Sequence, residues 1–272
     1  MANDSNSFER RIKVFGERNT ATRAVLRIID DTPGLASAAA TPNHKNEDAK
    51  LRRHIASVAG KMQRPWRKIY REAIKDETFA GYPPIRAWKH SAPTFDQSYA
   101  SGGVSVLFTV RNPYSWLLAL YRNPYHIMGE LPVAVGPFIR QPWMTVARDE
   151  TDRLLANPME LWNKKLSAYL SFMVHAKRAG VQTSVLKFED FVSAPQSAFS
   201  EAMSALSIEC PNPVYDPAPT KKLGLSQKMR QKFYGRADWA RDLSSSDVEA
   251  ITDRVDWNVA GKFGYARGSL VN

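Results

Sequence analysis

Cysteine, histidine and long apolar runs are scarce in this chain of 272 residues, and each scarcity argues against a class of protein. The single cysteine, Cys210, cannot form an internal disulfide bond. The five histidines are not spaced as metal ligands, so we expect no metal site. No run of about 18 apolar residues occurs, which argues against a membrane-spanning helix. The first residues, MANDSNSFERR, lack the apolar segment of a signal peptide, and we expect a soluble, cytoplasmic protein.

Two common nucleotide-binding motifs are also missing, namely GxxxxGK[ST] and GxGxxG. Acidic residues are few relative to basic ones, since 27 Asp and Glu face 38 Lys and Arg and leave a net charge of +11. This balance favours anionic partners, such as nucleotides, acidic polysaccharides or nucleic acids, without choosing among them. Apolar residues make up 43% of the chain, which is enough for a substantial core in one large α/β domain or two small ones.

Short apolar segments alternate with helical patterns along the chain. Strands are predicted at 11–16, 84–88, 104–110 and 183–188, and helices at 21–30, 65–77, 114–122, 160–179, 196–206 and 246–256. The run VSVLFTV at 104–110 is typical of a central parallel strand that is buried on both faces. Segments 31–50 and 123–145 are predicted as irregular. The alternation predicts a three-layer α/β/α fold with a central, mainly parallel sheet.

Polar residues follow three of the predicted strands. The segments are GERNTATR from Gly16 to Arg23, the pair Lys89-His90, and the pair Arg111-Asn112. The carboxyl ends of parallel strands meet at one edge of a sheet, and ligands bind at that edge. We therefore expect the three segments to converge on one site.

The residue types in these segments are suited to binding an anion and to accepting a proton. A helix start presents unpaired N–H groups, to which the arginines and threonines of GERNTATR add donors. The simpler alternative is that Thr20 or Thr22 merely caps the helix. Arg111 can bind a phosphate through two hydrogen bonds, or can be a buried arginine paired with a carboxylate. His90 can accept a proton near neutral pH, with Lys89 beside it, although a single histidine is often structural.

The three segments, in this order, resemble the sulfotransferases that use 3′-phosphoadenosine 5′-phosphosulfate. In that family a strand–loop–helix cradles the 5′-phosphosulfate, and a Lys-x-His-x-x-Pro-like segment supplies the base. A strand ending in Arg-Asn-Pro or Arg-Asp-Pro leads into a helix that holds the 3′-phosphate. The matching segments are GERNTATR, WKHSAP and VRNPYSWLLALYR, with LKFEDFVSAP, FYGRADWARDLSSSDVEAI and KFGY similar to later ones. The resemblance covers residues 11–265. It implies a single sulfotransferase-like domain over 1–272 and the P-loop-NTPase-like sulfotransferase fold. Residues 1–10, which precede the resemblance, are expected to be flexible.

The resemblance also implies roles for single residues. Donor binding falls to Arg18, Asn19, Thr20, Ala21, Thr22, Arg23, Arg111, Ser115, Arg230, Lys232 and Arg236, and catalysis to His90 with Lys89, without a metal. Ala21 stands where the family has a glycine, the residue that adopts a positive φ at no steric cost. The usual loop lysine is missing, and Arg18 or Arg23 substitutes for it. The family's helix serine falls at Ala119, and Ser115 is its candidate replacement.

The expected acceptor is a hydroxyl group on a glycan, a glycolipid or a phenol, and the positive charge favours an acidic glycan. Candidate acceptor-binding residues lie in the aromatic segment 123–145 and are Tyr125, His126, Phe138 and Trp143. Two other functions stay open. A P-loop-like kinase needs a Walker lysine, which is absent here, and a carboxylate after a strand to bind Mg²⁺. Glu189-Asp190 is the only obvious carboxylate pair at a strand end in this sequence. A basic nucleic-acid-binding protein fits the charge but shows no zinc finger, RNP or GxxG motif, so nucleic acid is the less favoured partner.

Overall fold

The computed structural model describes residues 10–38, 53, 57, 64–125, 132–210, 212–215 and 227–270. In chain order, these residues form β1 (Arg10–Gly16), α1 (Thr22–Asp31), β2 (Leu35–Ser37), α2 (Arg64–Ala80), α3 (Ser98–Ser101), β3 (Val104–Val110), α4 (Pro113–Arg122), α5 (Val135–Arg140), β4 (Trp143–Met144), β5 (Leu154–Leu155), α6 (Pro158–Arg178), β6 (Thr183–Lys187), α7 (Phe188–Ser193), α8 (Pro195–Ser204), α9 (Gln227–Gly235), α10 (Ser245–Thr252) and α11 (Trp257–Lys262). Short 3₁₀ turns lie at Pro84–Arg86, Ala147–Asp149 and Asp238–Asp242.

The main sheet has four parallel strands in the order β2-β1-β3-β6. Gly16 at the end of β1 pairs with Thr109, and Val110 at the end of β3 pairs with Lys187. The carboxyl ends of β1, β3 and β6 therefore lie side by side at one edge of the sheet. The strands β4 and β5 form a separate antiparallel pair.

Helices cover both faces of this sheet because the side chains of β3 alternate between two apolar clusters. Phe108 packs on one face with Trp116 of α4 and Tyr169 of α6. Leu107 packs on the other face with Ile29 of α1 and with residues of α8. The sheet is thus buried between two helical layers, and the predicted α/β architecture with a central parallel sheet is confirmed.

Most predicted elements are found with small shifts of their ends, but the predicted strand at 84–88 is wrong. Residues Pro84–Arg86 form a 3₁₀ turn instead. Pro83 and Pro84 have no N–H to donate to a ladder, and the fixed φ of proline is compatible with the first position of such a turn. Three elements appear inside predicted irregular segments: β2, an edge strand of three residues, the short helix α5 and the two-residue strand β4.

The longest helix among the described residues is α6, which ends beside Gly180 at a positive φ of 72°. Left-handed backbone of this kind is common just after a helix and favours glycine. Among the helices within the described ranges, none is both long enough and apolar enough to cross a membrane.

Candidate active site

The loop between β1 and α1 begins at a glycine that cannot be replaced without a clash. A β-carbon at Gly16 would lie 2.8 Å from Thr20 Oγ1 and would overlap the hydroxyl of Thr109. The hydroxyl of Thr20 contacts Thr109 Oγ1 at 2.8 Å and donates to the carbonyl oxygen of Glu17 at 2.5 Å. Neither Thr20 nor Thr22 caps α1, since the N-cap is Ala21 and no side chain bonds there. The loop is therefore packed tightly against the end of β3.

Two residues of the loop have left-handed backbone, Asn19 at a φ of 68° and Ala21 at 67°. The N–H groups of residues 19–23 make no hydrogen bond within the described part of the chain. Successive N–H groups in alternating conformations form a concave site that binds anions, and the start of the ten-residue helix α1 adds partial positive charge. Ala21 thus takes the positive φ that the family resemblance associates with glycine.

His90 is attached to the same strand end. Its Nδ1 lies 2.6 Å from the carbonyl oxygen of Gly16, and the N–H of Gly16 donates to the carbonyl oxygen of Lys89 at 2.9 Å. A carbonyl oxygen only accepts, so Nδ1 carries the proton and Nε2 bears the lone pair. Nε2 makes no hydrogen bond to any residue in the described ranges. Burial lowers the pKa of His90 well below its usual value, and the positive charges of Lys89 and Arg18 lower it further.

Arg18, Lys89 and Arg23 bring positive charge to the loop and to the region around His90. The guanidinium of Arg18 lies 4.0 Å from the ring centre of Tyr125 and 4.9 Å from that of Trp88, so two aromatic rings hold it. Burial lowers the pKa of Lys89 to about 8, and the charges of Arg23 and Arg18 lower it in the same direction. Charges that repel one another in this way gain from a bound anion.

Arg111 connects the end of β3 to the loop. Its guanidinium donates to the carbonyl oxygen of Asn19 at 2.8 Å and to Ser115 Oγ at 2.9 Å. Its Cζ lies 4.0 Å from the ring centre of Phe188. No carboxylate of the described residues forms an ion pair with it, which removes the alternative of a simple buried pair. The nearby Glu189 instead accepts the N–H of Asn112 at 2.9 Å, and burial raises the pKa of Glu189.

Helix α9 approaches Arg111 from the C-terminal part of the chain. Tyr234 of α9 lies with its ring centre 4.9 Å from that of Phe188 and 5.2 Å from the Arg111 guanidinium. Lys232 and Arg236 are exposed on this part of the chain. Arg230 belongs to the same helix, and its side chain lies outside what the structure describes.

The candidate residues of the aromatic segment 123–145 lie in different environments. The hydroxyl of Tyr125 donates to Glu17 Oε1 at 2.5 Å, and its ring lies against Arg18. Phe138 is 0% exposed and Trp143 is 3% exposed, and both pack in the main apolar cluster. Their burial leaves neither ring open to an acceptor in this structure. His126 lies outside the described residues.

A buried ionic cluster beneath His90 is the part of the site that sequence reasoning missed. Lys165 of α6 is 0% exposed, and its Nζ lies 3.0 Å from Asp149 Oδ1 and 3.5 Å from Glu17 Oε2. The same Nζ donates to the carbonyl oxygen of His90. The sequence signal that could have identified Lys165 as buried is its position in the helix. It stands four residues from both Leu161 and Tyr169, in the buried stripe of α6.

No protein-family model matches this chain, and no curated protein matches it. Among the residues that the structure describes, no group of three or more His, Cys, Asp or Glu side chains is placed to hold a metal ion.

Proposed function

We propose that this protein is a sulfotransferase that moves a sulfuryl group from 3′-phosphoadenosine 5′-phosphosulfate to an acceptor hydroxyl. One observation carries the proposal: the candidate base and the N–H-lined loop share Gly16 as their attachment point. A base next to an anion site is the arrangement that transfer from an anionic donor to a hydroxyl needs. The resemblance of GERNTATR, WKHSAP and VRNP to the sulfotransferase segments supports the donor class, and the loop between a parallel strand and a helix fits the P-loop-like fold.

The residues present fit such a donor at both of its anionic ends. The N–H groups of residues 19–23, with Arg18 and Lys89, would hold the 5′-phosphosulfate. Arg111 would hold the 3′-phosphate, because only two of its five N–H groups are used within the described part of the chain. Ser115 orients this guanidinium by accepting from Nε, and Arg230 and Lys232 of α9, with Arg236 directly after it, would add positive charge.

The proposed chemistry divides between a base and a set of cations. A bound donor supplies an activated sulfuryl group. His90 Nε2 accepts the proton of the acceptor hydroxyl while the new oxygen–sulfur bond forms and the bond from sulfur to the phosphate oxygen breaks. Lys89 and Arg18 stabilise the negative charge that then develops on the leaving phosphate oxygen. Arg18 is the better substitute for the family's loop lysine, because two rings fix its position whereas Arg23 is exposed.

The acceptor is proposed to be a hydroxyl-bearing molecule, with an acidic glycan favoured by the net charge of +11. Tyr125 stays a candidate contact through its position beside Arg18 and Glu17. A cytoplasmic location stays a prediction of the sequence.

Transfer itself is the test. The protein is incubated with the phosphosulfate donor and a panel of hydroxyl acceptors, and release of 3′-phosphoadenosine 5′-phosphate is followed by ion-pair chromatography. His90→Asn is the informative variant, since its amide can donate to Gly16 but cannot act as a base. We expect a loss of about 10²–10⁴-fold in rate for His90→Asn and no loss for His175→Asn on the exposed face of α6. Acceptor-dependent release that survives in His90→Asn would contradict the role of the base.

A further inference from the structure

Lys165 makes contacts to two parts of the site at once. Its ammonium approaches the carboxylate of Glu17, which starts the loop, and donates to the carbonyl oxygen of His90. It also contacts Asp149 through both the carboxylate, at 3.0 Å, and the carbonyl oxygen, at 3.2 Å. One buried group therefore touches the loop, the base segment and the 3₁₀ turn at Ala147–Asp149.

Glu17 carries this contact into the loop. Its Oε1 accepts the N–H of Arg18 at 2.6 Å and the hydroxyl of Tyr125 at 2.5 Å. Its Oε2 is buried and makes no hydrogen bond within the described part of the chain, so Lys165 at 3.5 Å is the cation that faces it. Burial raises the pKa of Glu17, and the charge of Lys165 acts in the opposite direction.

Stability alone is a weak reason for such a cluster. Removing charges from water costs several kcal/mol per ion, and apolar residues of similar volume often stabilise a core equally well. The neighbours of Lys165 on the buried stripe of α6 are Leu161, Trp162, Leu166 and Tyr169, among which an apolar side chain would pack without this cost. The cluster lies directly under the residues to which we assign anion binding and proton transfer.

We propose that Lys165 is a positioning residue that holds the loop, through Glu17, and the base segment, through the His90 carbonyl, in the relative geometry that transfer requires. It touches neither donor nor acceptor. The predicted effect of Lys165 on the transfer rate rests on the proposed function. Its predicted effect on the titration midpoint of His90 does not.

The effect on His90 has a predicted sign. The groups that face the imidazole are Lys89, Arg18 and Lys165, which all lower its pKa, and the Gly16 carbonyl oxygen, which raises it. Glu17 and Asp149 lie against Lys165. Lys165→Met removes a cation and should move the His90 titration midpoint upward. Glu17→Gln keeps an acceptor for Arg18 and Tyr125, removes the anion that faces Lys165, and should move the midpoint downward.

The experiment follows His90 by nitrogen-detected NMR from pH 4 to 8 in the full-length protein, without donor or acceptor. Lys164→Met is the matched control, because Lys164 is the adjacent lysine of α6 and pairs with Asp152 at the surface. We expect opposite shifts in Lys165→Met and Glu17→Gln and no shift in Lys164→Met. If Lys165→Met does not fold, Glu17→Gln decides alone. An unmoved His90 midpoint in the variants that fold would overturn the inference.

A second measurement separates this inference from the proposed function. Transfer is assayed in parallel, and we expect Lys165→Met to lose at least tenfold in rate while Lys164→Met keeps the wild-type rate. Shifted midpoints in a protein that shows no transfer support the positioning role and overturn the sulfotransferase. Transfer in the wild type that persists undiminished in Lys165→Met overturns the positioning role alone.

Discussion

His90 Nδ1 lies 2.6 Å from the carbonyl oxygen of Gly16, and this hydrogen bond attaches the candidate base to the last residue of β1. The bond fixes the tautomer, so the lone pair of the neutral ring is on Nε2. The residues that follow Gly16 in the sequence form the N–H-lined loop. The base and the anion site are therefore anchored at one strand end.

Gly16→Ala should destabilise the protein, because the added β-carbon would overlap the Thr109 hydroxyl and crowd Thr20. We expect the free energy of unfolding in urea to fall by about 1–3 kcal/mol, the usual cost of overpacking. Gly81→Ala is the control, since nothing lies within 4 Å of a β-carbon there. Equal stability of the two variants would show that the loop is not packed as described.

Ala21→Gly should stabilise the protein, because alanine at a φ of 67° carries a steric cost that glycine avoids. Glycine also raises the entropy of the unfolded chain, so we expect a net gain of roughly 0.5 kcal/mol in urea unfolding. The matched control is Ala24→Gly inside α1, which should lose about 1 kcal/mol. The same sign in both variants would exclude a left-handed residue at position 21.

Acid should destabilise the protein through His90. Because the pKa of His90 is lowered well below 6.5, the unfolded chain binds a proton that the folded chain does not. The stabilisation is complete above pH 6.5 and is lost as the pH falls from 6.5 toward the folded pKa. Urea unfolding at pH 7 and pH 5 should show a smaller loss in His90→Asn than in the wild type. An identical loss in both proteins would contradict the lowered pKa.

Lys89 should make anion binding sensitive to alkaline pH. Its pKa of about 8 means that the ammonium is lost over the range in which an ordinary lysine stays charged. The affinity for 3′-phosphoadenosine 5′-phosphate should therefore weaken as the pH rises through 8 in the wild type and change less in Lys89→Met. Calorimetric titration at pH 7 and pH 9 measures this, and an equal change in both proteins would place Lys89 outside the site.

Periodicity and strand ends predicted much of this architecture. The run at 104–110 is β3, and the convergence of Gly16 and Arg111 follows from parallel strands sharing a carboxyl edge. Lys89-His90 reaches that edge by another route than predicted: it follows a 3₁₀ turn, and hydrogen bonds to Gly16 hold it there.

The features that the sequence did not predict depend on contacts between residues that are far apart in the sequence. Phe138 and Trp143 resemble ligand-binding aromatics by composition, yet they complete the core because α5 and β4 fold against α4 and α6. The Glu17–Lys165 pair joins residues 148 positions apart, which no local pattern can reveal. Of the two residues, only Lys165 has a recognisable sequence signal, because it is a charged residue in an apolar helical stripe.

The central claim is that this site binds a nucleotide with phosphates at both ends. Its most direct test is calorimetric titration with 3′-phosphoadenosine 5′-phosphate, and in parallel with ATP and Mg²⁺, using the wild type, Arg111→Gln and Arg122→Gln. Arg122 is the control, since it is the last residue of α4, the helix that follows Arg111, and pairs with Asp242. We predict binding of the bisphosphate that is lost in Arg111→Gln and kept in Arg122→Gln. Failure of the wild type to bind the bisphosphate, or a preference for ATP with Mg²⁺, would contradict the account.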